Sequence, residues 1–180
     1  FLAAANWAAL GPTGIAFGIG LVLLLFACVT LHEFGHALAA QYFGIPVKEI
    51  VLLPIGGIAF LGRATRRPLE ELVIAAAGPA VNVVIVAVLA PIVWLAGDGR
   101  LDLTPTLLRP DGATPSLLEA VQWLAGANIG LVLFNMIPAF PLDGGRILRG
   151  MLGLLPDWSR ATRWATATGQ LLAMGMGEWD

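Results

Sequence analysis

The sequence comprises 180 residues, 58% of them hydrophobic and 12% charged, with a formal net charge of -2 and a mean hydropathy of +0.83. Soluble domains average about half apolar and about a quarter charged, so this balance points to a membrane protein and leaves a soluble fold as the weaker alternative. No basic patch interleaved with aromatics is present, which excludes nucleic acid as a partner, and the single cysteine, Cys28, excludes a disulfide framework or a cysteine-rich metal site.

In chain order, residues 1–13 read as an apolar stub of a preceding span or loop, lacking the basic start and small-residue cleavage site of a signal peptide. The first span is expected over 14–43, about the ~20 apolar residues needed to cross a hydrocarbon core and somewhat more. The segment 47–61 (VKEIVLLPIGGIAFL) is rich in β-branched residues but too short to span. Pro54 and Gly56-Gly57 divide it, so it reads as a hairpin-like β element packed at the membrane, the competing reading being a plain cytoplasmic loop. Further spans are expected over 72–96 and 117–142, and a partial one over 164–180. The expected fold class is therefore an all-α integral membrane protein: one domain over 1–180, a polytopic bundle of at least three core helices with a small β element.

All ten Lys and Arg lie outside these spans, four in the first connection, two in the second and four after the third. The second connection also carries Asp98, Asp102, Asp111 and Glu119. By the positive-inside rule the first and third connections face the cytoplasm.

The pattern His32-Glu33-Phe34-Gly35-His36 matches H-E-x-x-H. Four residues make about one helical turn, so both imidazoles leave one face toward a common point, where zinc fits. In such sites the Glu is not a ligand but a base. The motif alone recurs by chance, but these are the only two histidines, and with Glu33 they interrupt an otherwise uncharged span, where ionisable groups are costly and functional. The competing reading is a neutral polar cluster joining helices. A catalytic zinc needs a third protein ligand. With no third histidine, Asp143 is the candidate by elimination, in a stretch broken by Pro138, Pro141 and Gly144-Gly145 that can turn a carboxylate back toward the first span. The competing reading there is an ordinary Asp-Gly helix stop.

HEFGH, then Gly78-Pro79 with Asn82, then NMIPAFPLDGGRILR together resemble the site-2 protease family of intramembrane metalloproteases, over about residues 29–149; LLPIGGIA (52–59) is similar to the variety with a compact membrane core. The resemblance implies hydrolysis of peptide bonds within or near the transmembrane segment of membrane-protein substrates. It implies one zinc per chain, held at His32, His36 and Asp143, with Glu33 as base and Asn135 steadying the substrate carbonyl or oxyanion. Asn82 reads more simply as a helix-to-helix hydrogen bond. The expected surroundings are the lipid bilayer of the plasma membrane, with the site opening to the cytoplasm, and a homo-oligomer is allowed. The alternative from another class is a membrane divalent-metal transporter or metal-binding protein.

Overall fold

The computed structural model describes residues 11–53, 56–62, 65, 67–97, 99 and 116–154, with the backbone alone over 50–61. Of the stub expected over 1–13, residues 1–10 lie outside these residues, as does the partial span over 164–180, while residues 11–13 open the first helix rather than preceding it. The elements are helix α1 (Gly11–Tyr42), strands β1 (Val47–Leu53) and β2 (Gly56–Leu61), and helices α2 (Pro68–Ala96), α3 (Leu117–Asn135) and α4 (Asp143–Gly153).

Local chemistry sets their ends. Pro68 opens α2, where a missing N–H is harmless, and Glu70 and Glu71 complement the positive end of the helix dipole. These two acids belong to the helix, although the sequence places them in a connection. A capping box starts α3: Glu119 N donates to Ser116 Oγ at 3.2 Å and Ser116 N to Glu119 Oε2 at 2.5 Å. After α1, Gly44 adopts φ +67°, with Ile45 N bonded to Ala40 O and Gly44 N to Gln41 O, both at 2.9 Å. This is a Schellman stop, and it folds Ile45 back onto Ala40. α3 ends at Asn135 rather than 142, because residues 136–142 carry Pro138 and Pro141 and cannot continue a helical ladder.

β1 and β2 pair antiparallel, Ile50 opposite Ala59 and Leu53 opposite Gly56, with an irregularity between Val47 and Glu49. The two strands thus make the expected hairpin.

Three helices among the described residues, α1, α2 and α3, are long and apolar enough to cross a membrane. At ~1.5 Å per residue the 32 residues of α1 reach about 48 Å, well beyond the ~30 Å hydrocarbon core. Their side chains are distributed inside out compared with a soluble protein. Leu23 and Leu38 are 63% exposed and Leu95 72%, while His32, Glu33, His36, Asn82, Asn128 and Asp143 are buried. Such a surface is stable only where the solvent is lipid.

The chain divides into two compact units, each taking part of every long helix. In the first, over 1–29 and 82–130, Leu21 packs on Ala120 with Phe17 and Trp123. There Asn82 Nδ2 donates to Asn128 Oδ1 at 2.9 Å, and Asn128 Nδ2 to Leu124 O at 2.8 Å. The second unit, over 30–81 and 131–180, centres on Ala40, Ile45 and Ile74. In it α1 meets α2 closely at Gly35, where a Cβ would lie 2.7 Å from Ala77 O.

Candidate metal centre

The second unit contains all of the expected metal ligands. His32 and His36 sit one turn apart on α1, their rings edge to face with centroids 4.8 Å apart. Asp143 is the first residue of α4. Its Oδ2 lies 3.1 Å from His32 Nε2 and 3.1 Å from His36 Nε2, and the two nitrogens are themselves 3.1 Å apart. All three residues are buried.

Hydrogen bonding alone explains this triangle poorly. His36 Nδ1 lies 2.7 Å from the Ile74 carbonyl, which can only accept, so Nδ1 carries the proton. In the neutral ring Nε2 is then a bare lone pair facing a carboxylate oxygen, and two acceptors repel unless a cation lies between them. The distances fit one. Tetrahedral zinc bound at ~2.0–2.1 Å sets its ligand atoms about 3.3 Å apart, with a fourth position left for a non-protein ligand. A ligand histidine anchored through its other nitrogen to a backbone carbonyl is the usual supporting arrangement. Asp143 supplies the carboxylate corner of the triangle through Oδ2. Its other oxygen, Oδ1, is 3.8 Å from Arg146 Nη1.

Glycines let the backbone close around the triangle. A Cβ on Gly78 of α2 would strike the His36 ring at Nε2 and lie 2.7 Å from His32 Nε2. At Gly144 it would run into the Met136 and Ile137 carbonyls, and at Gly145 it would lie 2.6 Å from the Ala139 carbonyl carbon. These two glycines allow the 136–142 segment, which contains a cis Phe140–Pro141 peptide, to fold against the start of α4 and present Asp143.

Glu33 is buried beside His32. Asn135 stands apart from the triangle in its bonding: its Nδ2 donates to Leu131 O at 3.0 Å, one turn back on α3. One contributor escapes a reading of the sequence. The Ile74 carbonyl is backbone and carries no residue signal. Gly78 had one, a glycine in the interior of an apolar helix, where it costs about 1 kcal/mol against alanine and so needs a packing reason.

Three helices apolar enough to cross a membrane, with a buried His, His and Asp triangle beside an H-E-x-x-H glutamate, define a membrane protein with a candidate metal centre. The chain belongs to peptidase family M50, whose model matches residues 20–118 and 111–176. It is 40% identical over 156 residues to a zinc metalloprotease of Methanocaldococcus jannaschii, covering 87% of this chain and 41% of that protein. It is 37% identical over 143 residues to a Synechocystis protein named for the same activity, covering 79% and 34%. In fold it matches the site-2 protease from Methanocaldococcus jannaschii with a TM-score of 0.59 and 34% identity, over 91% of this chain and 75% of that one. The chain thus spans about two fifths or less of these curated relatives' length, at 41% and 34%. The family, the relatives' names and the donor set together support zinc as the metal.

Proposed function

We propose that the chain is the catalytic core of an intramembrane zinc endopeptidase that hydrolyses peptide bonds within or near the transmembrane segment of membrane-protein substrates. The observation that carries this reading is the 3.1 Å triangle of two imidazole nitrogens and one carboxylate oxygen, buried in lipid-crossing structure one residue from Glu33.

In this reading His32, His36 and Asp143 hold the metal. When bound, zinc supplies Lewis-acid polarisation of a water and of the scissile carbonyl. Glu33 takes the proton from the attacking water and returns it to the leaving amine nitrogen as the C–N bond breaks. Asn135 turns its amide from the Leu131 carbonyl to the substrate carbonyl oxygen, as a donor that strengthens with developing charge. A substrate carbonyl inside a helix is occupied by an N–H four residues on, so the substrate unwinds locally, and the open edge of the β1–β2 hairpin takes the unwound strand. The site opens to the cytoplasm of a plasma-membrane protein, in keeping with the basic first and third connections. Labelling of a cysteine placed near Ala37, at the exposed Tyr42, from the cytoplasmic side only is expected, and labelling from outside only would reverse the orientation.

The deciding experiment is cleavage of a detergent-solubilised single-span protein, with bound zinc assayed in the same samples. Glu33→Gln should retain zinc and lose cleavage by about 10²–10⁴-fold. Cleavage that persists in Glu33→Gln would remove the glutamate from the mechanism. Zinc flux into proteoliposomes with no cleavage would make the chain a metal carrier instead.

A further inference from the structure

Glu71 is fully buried in the first turn of α2, and its Oε1 accepts from Arg149 Nε at 2.8 Å and from Arg149 Nη2. Its Oε2 is buried without a hydrogen-bond partner among the described residues. The Arg149 guanidinium lies over the Phe140 ring, 5.5 Å from its centroid. Peptide hydrolysis as described above uses neither residue. Nor is the pair well built as a stabiliser, because a buried ion pair with an unsatisfied lone pair recovers little of its desolvation penalty. Orientation explains it better.

What needs orienting is α4. The helix has 11 residues, its N-cap Leu142 makes no side-chain cap bond, and the chain entering it is irregular, so its own sequence does little to set its position. Yet its first residue is Asp143, whose Oδ2 meets both histidines. On α2, Glu71, Ile74 and Gly78 fall at i, i+3 and i+7, which is one helix face. That face receives Arg149 through Glu71, anchors His36 through the Ile74 carbonyl, and accommodates both imidazoles at Gly78. At Gly150, next to Arg149, a Cβ would lie 3.2 Å from the Pro68 carbonyl, so α4 and α2 are already close there. We propose that Glu71 and Arg149 are positioning residues of the metal centre: their fork fixes α4 on the α2 face that also orients His36, and thereby brings Asp143 into the ligand set.

This rests on the metal-centre reading, and the test separates the two. Zinc affinity of the full chain in detergent is measured by chelator competition, and ligand geometry by the visible spectrum of the cobalt(II)-substituted protein. The variants are Arg149→Met, Glu71→Gln, Arg149→Lys, Asp143→Asn and His32→Ala. Loss of the pair should weaken zinc binding by about 10–100-fold, as removal of a supporting partner does. Arg149→Lys keeps the charge but not the fork, and should keep the helical circular dichroism while shifting the cobalt spectrum, which a merely structural role would not do. If Arg149→Met fails to fold, Arg149→Lys decides. Cobalt spectra and zinc affinities matching wild type in Arg149→Lys and Glu71→Gln, alongside lost binding in Asp143→Asn and His32→Ala, would overturn the positioning role alone. Undiminished binding in Asp143→Asn and His32→Ala would overturn the metal centre and this inference with it.

Discussion

A methyl group at Gly78 would strike the His36 ring and crowd His32 Nε2. In an unconstrained helix glycine to alanine gains about 1 kcal/mol of propensity, but overpacking against fixed neighbours costs about 1–3 kcal/mol, and the His36 ring cannot retreat without leaving the Ile74 carbonyl. Gly78→Ala should therefore lose at least about 10-fold in zinc affinity with its helical content intact, measured by metal analysis and circular dichroism; full zinc loading would show that the imidazoles have room to move. Residues at this scale were legible in proportion to their chemistry. His32, Glu33 and His36 announced themselves as ionisable groups in an uncharged span, and Asp143 followed because zinc needs a third ligand. Glu71 and Arg149 did not, since a salt bridge over a separation of 78 residues leaves no local pattern.

Among elements, the three long helices were readable because lipid demands a minimum run of apolar residues, and the hairpin because Pro54 and two glycines divide a β-branched stretch. The end of α3 was misjudged: residues 136–142 are apolar enough to prolong a span, but the prolines end the ladder at Asn135. Helix contacts were not readable either, because in lipid they depend on small residues and a few hydrogen bonds rather than on an apolar stripe. Of one such contact the Asn82 side was legible, as a helix-to-helix hydrogen bond, but its partner Asn128 was not. Asn128→Ala should lower stability by about 0.6–1.7 kcal/mol, the range for buried membrane hydrogen bonds, in reversible unfolding from mixed micelles, and should leave zinc content unchanged. A loss of zinc on that change would mean the pair serves the metal centre. At α4, Gly144→Ala should destabilise by about 1–3 kcal/mol through the Met136 and Ile137 carbonyls, and should release zinc as well, because the same turn presents Asp143.

For the molecule as a whole, composition already settled the solvent, and the exposed leucines and valines of α1 and α2 agree with it. Side of insertion rests on the count of basic residues in the connections. Stability and metal binding should be separable at this scale. Small zinc domains unfold without metal because the ion closes their core, whereas here every spanning helix satisfies its backbone internally. A chelator should abolish cleavage, with recovery on adding zinc, while the far-ultraviolet helical signal falls by less than about a tenth. A large loss of helix would show that the metal holds the bundle together.

His32 and Asp143 are 111 residues apart in the chain, with two further spanning helices made between them. During synthesis the two imidazoles enter the bilayer long before the carboxylate leaves the ribosome. A nascent chain interrupted anywhere before Asp143 holds half a claw and no more. On the proposed reading, the third ligand and any peptide-cutting capacity that depends on it arrive only after α3 has been made.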